Sequence, residues 1–153
     1  MSDHWIPPDD WATIVANVPI VSVDLLVKHD GGVMFGKRTN APAEGYWFVP
    51  GGRVEKGETR REAVHRVAAD ELGVSVTITE SLGAFEHFYG TSDVDGVENK
   101  HYLANGYVVE VSEGELTTDE QHDTLQVFQS PPDPFHQHIR AYFDAATTLP
   151  NWS

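Results

Sequence analysis

At 153 residues, 40% of them hydrophobic, the chain is long enough for one domain with an ordinary packed core. Its 24 acidic and 10 basic residues give a formal charge of −14, a surface that repels phosphate backbones and argues against a nucleic-acid partner. The absence of cysteine excludes disulfides, thiolate nucleophiles and zinc–thiolate centres, and no apolar run approaches the ~20 residues of a membrane span.

The N-terminal eight residues carry neither a basic stretch nor an apolar core, so no secretory signal is expected and the cytoplasm is the default location. Residues 1–17 are expected to be a helical segment, set apart from a single domain over 18–153. Within that segment Asp9 and Asp10 give acidic capping to a helix over 11–16, and Pro19 ends it. Residues 20–27 are β-branched and apolar apart from Ser22 and Asp24, which predicts a buried strand. The turn Asp30-Gly31-Gly32 leads to a second strand over 33–37. A loop over 40–45 and a short strand over 46–49 follow, stopped by Pro50-Gly51-Gly52.

Residues 59–72 predict a helix. Thr59 and Glu62 have capping-box spacing, Ala63, Val64, Val67, Ala68 and Leu72 recur at helical spacing, and Gly73 stands where helices terminate. Strands are expected over 74–79, 82–89 and 102–111, with polar, acidic loops over 91–100 and 112–123. A short strand over 125–128 and a C-terminal helix over 135–146 complete the chain. Mixed strands with helices on either side indicate an α/β sandwich.

The densest chemistry lies in residues 52–74. Gly51 and Gly52 let the backbone approach a ligand and expose its carbonyls. Glu58 lies just before the helix, Glu71 lies one helical turn beyond Val67 on the same face, and Arg66 and Asp70 form an i,i+4 pair. Carboxylate and carbonyl oxygens are the ligands a hard cation such as Mg²⁺ prefers. A surface helix with solvated charges is the alternative for any one of these features, but it does not account for the whole constellation.

The segment Gly52, five residues, Glu58, seven residues, Arg66, then Val67-Ala68-Ala69-Asp70-Glu71-Leu72-Gly73-Val74 resembles the Nudix box, G-x5-E-x7-R-E-U-x-E-E-x-G-U. It departs at Val67, where the family has Glu, and at Asp70, which replaces a Glu. The resemblance implies an α/β/α sandwich with a mixed sheet and a metal-dependent hydrolase of a nucleoside diphosphate derivative. In most members the Glu after the Arg binds metal and helps activate water for attack on phosphorus; Val67 can do neither.

Further segments look like GDP-mannose mannosyl hydrolase, the branch that carries the same loss. They are Gly36-Lys37-Arg38-Thr39-Asn40, residues 45–54, His87-Phe88-Tyr89, His101-Tyr102, Asp119-Glu120-Gln121-His122-Asp123 and Arg140-Ala141-Tyr142-Phe143. In that branch water attacks C1 of the sugar with inversion, and GDP leaves intact. The likeness implies Mg²⁺, with Mn²⁺ as the alternative ion, held by the Gly51 carbonyl, Glu71 and Gln121. It implies His122 as general base, its ordinary pKa near ~6.5 suiting the task. Arg38 and Arg53 are implied to hold the leaving diphosphate through bidentate forks, Tyr102 to donate to it, and Asp24 and His87 to meet the sugar.

Simpler roles stand beside these. His122 fits a solvent-exposed loop histidine, His87 a satisfied core histidine, Asp24 a structural ion pair, Arg53 a surface cation and Glu58 a support of the helix. His136 and His138 are expected on the C-terminal helix without chemistry, and Trp5, Trp11 and Trp152 in packing or an interface. The expected partner is a nucleotide sugar, and a homodimer through the N-terminal segment is implied by the branch. Two other functions stay open: pyrophosphate cleavage of a nucleoside diphosphate derivative, and a weak nucleotide-sugar-binding module. Lys28, Lys37, Lys56 and Lys100 are the only lysines. Abundant acid with scarce lysine is a pattern of proteins from salt-loving organisms, set against the plainer reading of an acidic soluble protein.

Overall fold

The computed structural model describes residues 5–116 and 125–152. Helix α1 spans Pro8–Asn17 and strand β1 Ile20–His29. Then come β2 (Gly32–Lys37), β3 (Trp47–Phe48), β4 (Gly51–Arg53) and α2 (Arg60–Val67). A π-helical turn, Ala68–Leu72, continues α2. The chain finishes with β5 (Ser75–Tyr89), β6 (Lys100–Glu113), β7 (Gln126–Phe128) and α3 (Gln137–Ala145). The sheet runs β3-β2-β1-β6-β5, with β4 on β1 and β7 on β2. β1 and β6 are parallel and the other pairs antiparallel, so the sheet is mixed as expected.

The central strand is buried on both faces, and its alternation assigns them. Val23, Leu25 and Val27 join Ala63, Val64 and Val67 of α2 in one core cluster, whereas Leu26 joins Ile139, Tyr142 and Phe143 of α3 in the other. Each fully buried aliphatic side chain stabilises the fold by about 1.5–3 kcal/mol, so the sandwich rests on these two layers. Among the described residues no helix is long and apolar enough to cross a membrane.

Four expectations need correction. Asp9 and Asp10 do not cap α1; Pro7 holds the cap position without a side-chain bond, Pro8 occupies the first turn, where its missing N–H costs nothing, and the two aspartates lie in that turn. The short strand expected over 46–49 does stop before Pro50, at Phe48, but Gly51-Gly52 is not a break, because Gly51–Arg53 is itself a strand on residues 22–24 of β1. The two strands expected over 74–79 and 82–89 are one, bent by register shifts at Ser75/Val76, Ile78/Glu80 and Ser81/Gly83. The helix expected over 59–72 changes to π geometry after Val67.

β1 also changes partner along its length. Lys28 and His29 pair with β2, and Ser22 to Asp24 pair with β4. At the change-over Leu25 N–H donates to the Pro50 carbonyl at 2.8 Å. Asp24 therefore sits where one edge of the central strand passes from β2 to β4.

Candidate active site

Two cavities open on either side of Arg38, Phe48 and Val49. The first, about 260 Å³, is lined by Trp11, Asp24, Arg38, Gly51, Arg53, His87, Tyr89 and Tyr102, among others. The second, about 270 Å³, includes Asn40, Pro50 and Glu71. Asp24, Arg38, Arg53, His87 and Tyr102, drawn from five separate stretches of sequence, thus converge on one cavity together with Gly51, while Glu71 lines its neighbour. Gln121 and His122 lie outside the described residues.

Arg38 is held by its own loop. Its Nε donates to the Pro42 carbonyl at 2.6 Å and Nη2 faces the Ala41 carbonyl at 3.4 Å, with the guanidinium 6.0 Å from the Phe48 ring centroid. A fork fixed in this way loses little freedom when it meets an anion. Arg53 lies 5.7 Å from the Trp11 ring centroid, so α1 supplies one wall beside that cation.

Asp24 is open to the cavity on one side but densely surrounded by protein. Burial raises its pKa to about 6, against the opposing hydrogen bond from Tyr142 and the charge of Arg38. The Tyr142 hydroxyl donates to Asp24 Oδ2 at 2.7 Å. Gly106, the β6 neighbour of Asp24, makes this contact possible: a Cβ there would stand 2.5 Å from Tyr142 Cε1, so only glycine lets the ring lie over the strand. Burial, and next the charge of Asp24, push the Tyr89 and Tyr142 phenols above their usual range, so both keep their protons.

His87 is 3% exposed and stacks on His138 with centroids 4.3 Å apart. Burial lowers its pKa to about 3, helped by the charges of His138 and His136, so the imidazole is neutral near pH 7. Its Nε2 is buried and has no hydrogen-bond partner among the described residues. An unmet buried group costs about 1–3 kcal/mol. His87 is therefore not a satisfied core histidine: its ring lines the first cavity, and its Nε2 is closed to solvent without a partner among the described residues. His138 does lie on α3 and His136 at its N-cap, but they also pack around the site. His136 Nδ1 accepts the His138 N–H at 3.1 Å and caps the helix, and the His136 ring lies 5.2 Å from Phe48 and 5.8 Å from Tyr89.

The α2 side is a different environment. Thr59 and Glu62 form the expected capping box. Arg66 forks onto Glu58, with Nε to Oε2 at 2.7 Å and Nη2 to Oε1 at 3.0 Å, and also donates to the Arg53 carbonyl at 2.8 Å. Glu55 lies 3.2 Å from the same guanidinium, and Asp70, the expected i,i+4 partner, is the most distant at 3.8 Å. The Glu58 bond outweighs the burial of Arg66 and holds its pKa above the usual value. This network ties the end of β4, and so Arg53, to the helix.

Two readings of the glycines and the helix face change here. A Cβ on Gly51 would overlap Asp24 Oδ1, and one on Gly52 would stand 3.1 Å from Val67 Cγ2. The close approaches that need glycine include β1 and α2, and not a ligand alone. Val67 and Glu71 do not share a face. Val67 is 2% exposed, but the π turn brings Leu72 rather than Glu71 against the core and leaves Glu71 exposed at the second cavity.

Among the described residues no group of three or more His, Asp or Glu could hold a metal. The expected ligand set has only one titratable member, Glu71, joined by a backbone oxygen and the Gln121 amide. The oxygen chemistry of Glu71 and the Pro50-Gly51 backbone beside these cavities suits a hard divalent cation. The sequence does not assign Trp11, Phe48, Tyr89 or the His136–His138 pair to the site. The alternation of Phe85, His87 and Tyr89 was the one local signal that an aromatic face turns inward.

The NUDIX domain model matches residues 18–151. The chain is 54% identical over 140 residues to the low-salt glycan biosynthesis protein Agl8 of Haloferax volcanii, covering 92% of this chain and 90% of that protein. It is 31% identical over 110 residues to the ADP-ribose pyrophosphatase of Methanocaldococcus jannaschii, covering 72% of this chain and 62% of that protein. The structure superposes on the MutT NUDIX hydrolase of Burkholderia pseudomallei with a TM-score of 0.70 at 27% identity, covering 86% of this chain and all of the other. With the sandwich, the capped helix and the Arg66–Glu58 fork in place, the chain belongs to the Nudix family of hydrolases.

Proposed function

We propose that this Nudix hydrolase releases a nucleoside diphosphate from a GDP-sugar, GDP-mannose or GDP-glucose, by water attack at the anomeric carbon with inversion. The observation that carries the reading is Val67. It is buried in the α2 core cluster with its Cγ2 beside the Cα of Gly52. The position that in most members supplies a carboxylate for phosphorus chemistry therefore carries an aliphatic side chain packed into the core. Attack at carbon needs less of the protein, because a glycosyl diphosphate already carries its leaving group and the carbon centre becomes oxocarbenium-like.

In this reading Arg38 and Arg53 grip the diphosphate, Tyr102 donates to it, and Asp24 and His87 meet the sugar. Trp11 and Tyr89 supply apolar walls. His122 removes the proton from water. Mg²⁺ or Mn²⁺ would be held by Gly51, Glu71 and Gln121 and would supply Lewis-acid neutralisation of the leaving diphosphate. The glycan-biosynthesis role in the name of the Haloferax relative supports a sugar-linked substrate.

The test is turnover of GDP-mannose with Mg²⁺ in ¹⁸O-water. Label in mannose is expected. Label in GMP or mannose 1-phosphate would instead support the second reading, pyrophosphate cleavage, which the name of the Methanocaldococcus relative favours. No turnover, with binding retained, would leave a nucleotide-sugar-binding module. A His122→Gln variant is expected to bind substrate and lose most of its rate. Two further parts of the reading have their own measurements: a homodimer by light scattering with and without residues 1–17, and salt-dependent stability by melting in KCl, where full stability in dilute buffer would sink a halophilic origin of the −14 charge.

A further inference from the structure

Helix α1 lies before residues 18–151, the part of the chain that the NUDIX domain model matches, yet one of its side chains lines the first cavity. That side chain is Trp11. It stands four residues before Val15, on the same face of the helix, and Val15 is the buried residue of α1. The face that docks the helix on the domain therefore also brings the indole to the cavity. α1 carries Asp9 and Asp10 and no cation, so it has no positive charge of its own with which to attract an anion. What Trp11 meets instead is the Arg53 guanidinium, 5.7 Å from the centroid of its ring.

Arg53 is fixed at its backbone and drawn two ways at its tip. Its backbone pairs with Ser22 of β1, and its carbonyl accepts from Arg66 at 2.8 Å. Its Nη2 lies 3.9 Å from Glu55 Oε2, a carboxylate that also faces Arg66 at 3.2 Å and is not part of the cavity wall. Glu55 and the indole attract the same cation by different means. A carboxylate accepts guanidinium N–H bonds and offsets the charge, so it competes with a phosphate on both counts. An aromatic face attracts through its quadrupole and carries no net charge. It draws the guanidinium toward itself without reducing the charge that the cation offers to an anion. Arginine also loses rotamer freedom whenever it is placed, so a contact that narrows its positions beforehand favours binding.

We propose that Trp11 is a positioning residue: its indole holds the Arg53 guanidinium on the cavity side, against the pull of Glu55, and so makes helix α1 a working part of the diphosphate site. The inference rests on the reading of that cavity as a diphosphate site. It requires that the tryptophan act through the arginine, and on the phosphates rather than on the base of the nucleotide.

The experiment is a double-mutant cycle on the full chain with Trp11→Leu, Arg53→Met and the double variant, following calorimetric affinity for GDP and for inorganic pyrophosphate, each with Mg²⁺. Leucine keeps an apolar wall and removes the aromatic face. Trp11→Met, a second apolar replacement, and melting temperatures guard against a loss that is only one of folding. Trp11→Leu is expected to weaken GDP and pyrophosphate by the same factor of roughly 2–5, which corresponds to a cation–π contact of about 0.5–1 kcal/mol. Trp11→Phe should restore most of the loss, and Trp11→Leu in the Arg53→Met background should cost nothing further. Equal losses in both backgrounds, a loss for GDP with none for pyrophosphate, or a Trp11→Leu variant with unchanged affinities would each overturn the inference while the diphosphate reading stands. A wild-type protein that binds neither ligand would overturn both.

Discussion

Charges on the two faces of the sheet are handled in opposite ways. Beside α2, Arg66 meets Glu58, Glu55 and Asp70 and the Arg53 carbonyl, and no donor there needs a ligand. Beside α3, Asp24 is raised toward neutrality, His87 is kept neutral, and one buried ring nitrogen has no partner among the described residues. The first arrangement is a frame, whose groups are satisfied in the folded chain alone. The second lines a cavity and holds bonding capacity that the described residues leave unused. Perturbed groups mark a functional region when they line a cavity, and Asp24, His87 and Tyr89 line one here.

The comparison breaks most severely at Arg66. Arg66→Ala would leave Glu55 and Glu58, both largely buried, without their shared cation. Removing one partner of such a pair costs about 3 kcal/mol or more. At this chain length that corresponds to a fall in Tm of roughly 10 °C, measurable by scanning calorimetry. Arg38→Met tests the other face. Among the described residues the Arg38 side chain bonds carbonyls of its own loop, so Tm should hold while kcat/KM for GDP-mannose drops by about 10–100-fold, the value of a charged hydrogen bond.

Gly106→Ala sharpens the link between core and site. Displacing Tyr142 should cost about 1–3 kcal/mol through overpacking and should also loosen Asp24, so stability and activity fall together. An Ala variant with wild-type Tm and activity would sever that link.

The smallest effect is a pH dependence. As pH falls from about 6.5, the unfolded chain takes up a proton that folded His87 refuses until about 3, so folding loses stability through that window. Asp24 acts in the opposite sense: its folded carboxyl binds a proton near 6 and its unfolded form only near 3.8, so it gains stability as pH falls between those values. A His87→Gln variant should therefore show a flatter loss of Tm between pH 6.5 and 4.5 than the parent. An unchanged slope would mean that His87 is not the group held neutral.

Much of this was legible in the sequence because the signals were local. The capping box at Thr59–Glu62, the turn at Asp30-Gly31-Gly32 and the two-faced burial of β1 all follow from spacing within a dozen residues. Arg38, Arg53, Asp24, His87 and Tyr102 were chosen by motif likeness, and they line one cavity. What escaped is long-range. Nothing near Tyr142 says that it will bond Asp24 across 118 residues, or that Gly106 is small to admit it. Nothing near Trp11 announces Arg53 as its neighbour. The fused strand β5 was split in the reading because its bulges mimic a turn in the hydrophobic alternation.

The π turn after Val67 behaves as a one-residue insertion. In an uninterrupted α-helix each residue advances about 100°, and residue 71 would inherit the inward direction of Val67. One extra residue moves the phase on, hands the core to Leu72 and frees position 71 to face outward. Selection on the buried half of the helix is thereby uncoupled from selection on the half beyond it. A valine can fill the core at 67 without dictating what position 71 presents, and a single-codon deletion within residues 68–70 would couple the two again.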